Sequence, residues 1–215
     1  MQVEDISQLG LDQVIQLAEE FQRAGRTADA IALYTHWTQN SPSNDRHIGL
    51  FNQGVMQLNT GDIDGAEHAY RLSLELYPGF AQARINLGLL LERKGQFDDA
   101  MLQWSQVAAS GYLQVAANVD LQTLALNHIG RLQEQLKHYD LAEHALTQSL
   151  QLNPRQSDAL QHWVHLRSKQ CKWPAMQAMP GVSVNAMLTG TSPLAMLALH
   201  DDPALQLMAA QSFVQ

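Results

Sequence analysis

Small residues recur along this chain about every 34 positions, at Ala18, Gly54, Gly88 and Gly130, and no other feature limits its fold as strongly. A second series stands twelve positions further on, at Ala30, Ala66, Ala100 and Ala142. Each of its members is followed four residues later by a large side chain: Tyr34, Tyr70, Trp104 and Leu146. Residues four apart share a helix face, so each alanine lies beside its large neighbour. Gly25, Gly61 and Gly95, with Lys137 in the fourth repeat, fall where a first helix would turn into a second. Pro42, Pro78 and Pro154 fall where the second would stop, since proline cannot continue a helix. A chain marked this way reads as stacked antiparallel helix pairs, in which small residues let two backbones approach and the large residue fills the space beside the contact. One such match would occur by chance; four units agree at several positions each.

At this spacing the pattern resembles the tetratricopeptide repeat. The resemblance implies an all-α right-handed superhelix, an α-α solenoid over residues 1–172. Its units lie near 11–44, 47–80, 81–114 and 123–156, with a partial fifth at 157–172. Two places depart from the repeat. Eight extra residues fall within SGYLQVAANVDLQTLALNHIG, where they lengthen either the fourth unit's first helix or the loop before it. The stretch SDALQHWVHLRSKQCKWP reads as one more first helix that stops at Trp173-Pro174, with Trp163 in place of the usual leucine.

Composition narrows the function. With 46% hydrophobic and 16% charged residues the chain can bury a continuous core. The formal charge of -8 and the lack of clustered Lys and Arg argue against nucleic acid and anionic membrane as partners. Cys171 is the sole cysteine, which excludes an intrachain disulfide and a thiolate metal cluster and fits a reducing compartment. The N-terminus carries Glu4 and Asp5 where a secretory signal would be basic, and no apolar run approaches the ~18 residues of a membrane span. The expectation is a soluble, cytoplasmic protein.

From Trp173 the composition changes. The segment 173–215 holds five of the eight Met residues and almost no charge. Ser192-Pro193 and Asp202-Pro203 each set a capping side chain before proline at the first helical position, so two short apolar helices are expected, LAMLALH and ALQLMAAQSFVQ. A solenoid end exposes an apolar face, and Trp173 with the LAMLALH helix is expected to cover it. The second helix has no stop signal before Gln215, which suggests one piece of a longer polypeptide. HWVHLRSKQCKWP, a proline-containing spacer and SPLAMLALHDDPALQL together resemble the junction between repeats and catalytic region in bacterial SPINDLY-type O-linked N-acetylglucosamine transferases. That resemblance implies repeats that gather protein substrates for a sugar-nucleotide transferase region. Such a region would have to follow Gln215, so no catalytic residue is carried over to this chain.

No enzyme site emerges from the residues themselves. His162 and His165 lie at i, i+3 and could share a ligand, but a third ligand is missing, and packed or solvated histidines are the simpler reading. Cys171 has only Lys169 and Lys172 nearby and reads as a packed structural thiol. Asp98-Asp99 and Asp201-Asp202 begin or precede helices, where acids cap free amides. The glycines lack a phosphate-loop ending, so neither a cofactor nor a metal is expected.

The asparagines say more. Asn52 and Asn86 stand two residues before the first-helix glycine, and Asn127 lies one step earlier in the fourth unit, all on the face that lines the concave side of such solenoids. A carboxamide both donates and accepts, so it can pair with a peptide backbone whatever the side chains, or else merely solvate the groove. Related transferases use a ladder of asparagines in this way, and the resemblance favours peptide binding here. Gln16 and His128 would interrupt that ladder. Arg131 and His162 would add side-chain preference at the C-terminal end. A clamp for carboxylate tails would need Lys and Arg on this face, where the first unit shows Ile15 and Glu19. The expected function is a protein-binding module that holds a protein or extended peptide in its groove. The alternative is a free-standing scaffold that forms a homo-oligomer through its tail.

Overall fold

The computed structural model describes residues 6–109 and 119–213, and the described residues are helical apart from turns and one isolated backbone bridge. A short 3-10 turn at Ile6–Gln8 leads into twelve α-helices. Four antiparallel pairs come first: α1 Leu11–Arg23 with α2 Thr27–Asn40, α3 Arg46–Asn59 with α4 Ile63–Leu76, α5 Ala81–Arg93 with α6 Phe97–Ala108, and α7 Val119–Gln135 with α8 Tyr139–Leu152. Then follow α9 Ser157–Lys169, α10 Val184–Gly190, α11 Pro193–Leu199 and α12 Pro203–Phe213. Two compact units contain them, residues 1–103 and 104–215.

In the first unit the repeat signature has a direct steric cause. A Cβ on Gly54 would lie 2.7 Å from the ring of Tyr70, so glycine is what admits the aromatic of the paired helix. Ala18 and Tyr34 occupy the equivalent places one repeat earlier and are both buried, in a core with Val14, Ala30, Leu33, Trp37 and Met56. Trp37 also donates its indole N–H to the Leu9 carbonyl at 2.8 Å, which ties the entry segment to α2. Gly130 and Leu146 repeat the arrangement in the second unit, where an added Cβ would meet Leu146 at 2.9 Å.

The turn between paired helices needs one residue in the left-handed region. Gly25, Gly61 and Gly95 fill it with φ of 73°, 86° and 75°, and Lys137 fills it with φ of 64°. Cys171, at φ 54°, takes the same place after α9. The fifth unit therefore copies the repeat through its turn, and departs from it only afterwards. This corrects the reading of Cys171 as a packed thiol: it is exposed, because it stands at the surface turn where the other units carry glycine or, in the fourth, Lys137.

Part of the eight-residue insertion lengthens a helix. α7 has 17 residues against 13 in α5 and begins at Val119, ahead of the expected unit start at 123. The rest of that insertion lies outside the described residues.

The tail folds onto the last repeat. Met176, Val182, Met187, Met196 and Ala209 share one buried core with Ala142, Leu146 and Leu150 of α8 and Leu160, Trp163, Val164 and Leu166 of α9. Trp173 is not part of it. Its side chain is 62% exposed, so the residue expected to cover the solenoid end does not. The cover is built from Met176 in the segment after α9, Met187 of α10, Met196 of α11 and Ala209 of α12, and α10 is a helix the sequence did not announce. Its N-cap, Ser183, accepts from the Ala186 N–H just as Ser192 accepts from Ala195 N–H at the start of α11. Before α10, a tight turn pairs Met179 and Val182 through both backbone hydrogen bonds and brings Gly181 against Pro154, where a Cβ would sit 2.7 Å from the ring.

Candidate functional site: the first-helix row

The left-handed turn residues give the repeats a common register, and the position nine before each is Gln16, Asn52, Asn86, His128 and His162. In the first unit this position meets the aromatic of the preceding repeat. Asn52 Nδ2 donates to the phenol oxygen of Tyr34 at 3.3 Å, and Asn86 Nδ2 donates to that of Tyr70 at 3.5 Å. Burial raises both phenol pKa values, and the asparagine bonds offset part of that rise. In the second unit the aromatic of the preceding repeat is Trp104, which has no oxygen to accept, and His128 stacks on it at 5.1 Å with an interplanar angle of 23°. Asparagine thus goes with tyrosine and histidine with tryptophan. The sequence held this pairing, 16 to 18 residues apart in the first unit, but the insertion before α7 breaks the spacing for Trp104 and His128.

Each of Asn52 and Asn86 has one N–H committed to a phenol. What remains for a ligand is a carbonyl acceptor and a second N–H on a half-buried side chain. Asn127, one step out of register, is engaged differently. Its Nδ2 donates to Gln156 Oε1 at 2.8 Å, and Gln156 Nε2 in turn donates to the Ser149 and Asn153 carbonyls at the end of α8. Its own carbonyl oxygen is buried and accepts no hydrogen bond. Arg131 is exposed on α7. His162 is exposed on α9 with Nε2 3.4 Å from a Glu134 carboxylate oxygen, and Lys169 approaches the other oxygen of that carboxylate at 3.4 Å. The structure therefore brings Asn52 and Asn86 into equivalent settings, and puts Asn127 in a helix-end network.

No third ligand joins His162 and His165 among the described residues. Among the described residues no three His, Cys, Asp or Glu side chains gather closely enough to hold a metal ion. Asp98 and Asp99 lie in the first turn of α6, and Asp202 accepts from the Ala204 N–H at 2.8 Å, both consistent with acids at helix starts. No helix is long and apolar enough to cross a membrane among the described residues.

Family models of the tetratricopeptide repeat match residues 51–117 and 124–156. Cellulose synthase operon protein C of Pseudomonas fluorescens is 29% identical over 142 residues, 66% of this chain and 11% of that protein. Photosystem I assembly protein Ycf3 of Acaryochloris marina is 36% identical over 74 residues, 34% of this chain and 44% of that protein. The chain thus spans less than half the length of either relative. Among solved structures, MamA of Desulfovibrio magneticus RS-1 superposes with a TM-score of 0.59 at 17% identity, covering 93% of this chain and 99% of that one, a likeness of fold alone. The repeat signature, the helix pairs it builds and these matches agree: residues 51–117 and 124–156 are tetratricopeptide repeats.

Proposed function

We propose that the chain is a protein-binding module that holds an extended peptide against the first-helix row. The observation that carries this reading is the placement of Asn52 and Asn86. Both are held in one geometry by a phenol of the preceding repeat, and each keeps a free acceptor and a free N–H. Peptide backbone presents a donor and an acceptor at nearly every residue, so such a row can bind without regard to side chains. Arg131 and His162 supply side-chain preference in the second unit. Asn127 acts only through the Gln156 side chain that it holds, since its own carbonyl oxygen is buried.

The test uses the full chain and a phage-displayed library of random short peptides. Changing Asn52, Asn86 and Asn127 together to Ala removes bonds worth ~0.5–1.5 kcal/mol each, so the affinity of an enriched peptide falls about tenfold or more while helical circular dichroism is kept. Affinity that survives the triple change makes the row a structural device and moves the partner elsewhere.

In its wider setting the module is the substrate-recruiting part of a SPINDLY-type O-linked N-acetylglucosamine transferase, a reading supported by the QCKWP and SPLAMLALHDDPALQL junction segments. A second reading, a free-standing assembly scaffold, is favoured by the match to a protein named for photosystem I assembly. Reading the encoding gene past Gln215 separates the two. A sugar-nucleotide transferase region follows in the first case and none follows in the second.

A further inference from the structure

A cavity of about 460 Å³ opens between α9 and α11. That volume lies within the ~300–1,000 Å³ range typical of ligand sites. One wall is a single face of α9, formed by Asp158, Gln161, His162, His165 and Ser168. One of them, His162, is the row position of its repeat: it stands nine residues before the left-handed turn at Cys171, as Asn52 and Asn86 stand before Gly61 and Gly95. The opposite wall presents Ala195, Ala198 and Leu199 of α11, with Thr191 and Ser192 at its start, whose hydroxyls are engaged with the Met187 carbonyl and the Ala195 N–H.

We infer that this cavity is a subsite for an extended peptide of a partner protein. It seats an apolar side chain against Ala195, Ala198 and Leu199 beside a residue that is basic or uncharged. The inference rests on the protein-binding reading and adds to it a subsite within the second unit and what that subsite selects. Three observations carry it.

First, the two walls differ in chemistry as the two parts of a peptide do. The side chains of Asp158, Gln161 and His165 have no hydrogen-bond partner among the described residues, so their donors and acceptors face the cavity unspent. Glutamine and neutral histidine each offer both, as backbone amides require. Second, the apolar part of the α11 wall is built from two alanines where longer side chains would fill the space, so the room lies beside methyl groups and the end of Leu199. An apolar side chain entering there leaves water and gains ~25 cal/mol for each Å² it buries. Third, the charge selects. No Lys or Arg lines the cavity, Asp158 does, and the chain carries a formal charge of -8. An anionic ligand such as a nucleotide or an acidic peptide is repelled, and a Lys or Arg beside the apolar residue is attracted.

The experiment pans the random peptide library on the full chain and compares Ala198→Trp and Ala195→Trp, whose indoles fill the cavity, with the unaltered protein. Ala198 is exposed, so the first variant should keep the helical circular dichroism and the melting temperature. The double change Gln161→Ala, His165→Ala provides a second route from the polar wall without adding bulk. Enriched peptides should share an apolar residue next to Lys or Arg, and both routes should weaken an enriched peptide about tenfold. Enrichment that neither route alters overturns the subsite while leaving the protein-binding reading in place. Enrichment of acidic peptides overturns it too. Loss of self-association in Ala198→Trp, read by light scattering, would mean that the cavity holds a second copy of the chain. A library that yields no enriched peptide overturns both the subsite and the reading beneath it.

Discussion

At the scale of the residue, two positions in each repeat are set by space and by backbone angle. Gly54 faces the Tyr70 ring so closely that even a methyl group would have to push it, and that ring is itself fully buried. Gly54→Val should therefore cost about 1–3 kcal/mol by overpacking, read as a lower midpoint in chemical denaturation. The turn positions give the opposite sign for an opposite reason. Lys137 holds φ 64°, which costs an L residue roughly 1–2 kcal/mol, whereas glycine there gives up roughly 0.5–1 kcal/mol of chain entropy. Strain relief is the larger, so Lys137→Gly should raise stability by ~0.5–1 kcal/mol. Gly61→Ala, which introduces the strain, should lower it.

At the scale of the element, helices of successive repeats are clasped by a carboxylate pair. Asp64 and Glu67, in the first turns of α4, both hold Lys94 at the end of α5, at 2.9 and 2.6 Å. Asp140 and Glu143, in the first turns of α8, both hold Lys172 just after α9, each at 2.6 Å. In the second unit the clasp also fixes the start of the tail. Arg167 reaches Glu143 at 2.8 Å and donates to the Pro174 carbonyl and to Gln177. Burial opposes ionisation of Glu143, but hydrogen bonds from Lys172 and Arg167 outweigh it and hold the carboxyl below its ordinary value of 4.5. A carboxyl depressed in the folded state stabilises fully above 4.5 and loses that contribution as pH falls through the folded value. Glu143→Gln should thus destabilise by about 1–3 kcal/mol at pH 7, and the difference from the unaltered protein should shrink in thermal melts below pH 4.5.

At the scale of the whole molecule, the tail is an alternative to a further repeat. Tetratricopeptide units bury one another, and the last has no successor, so α9 would present Leu160, Val164 and Leu166 to water. Met187 and Met196, both fully buried, cover them instead. Unbranched methionine suits the task because it adapts to an irregular surface that no regular partner helix matches. Met187→Ala should cost about 2–5 kcal/mol by leaving a cavity, and removal of 174–215 should lower the melting temperature and raise light scattering. An equally stable, monomeric truncated protein would show that the last repeat needs no cover. The tail also spends apolar surface outward, with Leu194, Leu197 and Leu207 all exposed. In the transferase reading the sugar-nucleotide pocket belongs to a region after Gln215, so calorimetry of this chain with UDP-N-acetylglucosamine should be flat, and saturable micromolar binding would contradict it.

The sequence alone determined the four helix pairs, their turns and stops, and the helix starts at Ser192 and Asp202. All of these rest on local rules: a residue's own allowed φ, proline's missing N–H, a capping oxygen within reach, and a period set by one repeated contact. The first-helix row was equally legible, since equivalent positions recur at fixed spacing. What the row is bonded to was not, because Asn52 meeting Tyr34 and His128 meeting Trp104 depend on how one repeat stacks on the next. Asn127 shows the same limit: a single-residue shift in register turned a groove position into part of the α8 end network. The tail was decided almost wholly by tertiary packing. Trp173 looked like the natural cover by hydrophobicity, yet methionines from α10 and α11 took the buried places and left it exposed. Burial depends on which surfaces meet in three dimensions. Where the repeat stopped, no period remained in the sequence to say which those would be.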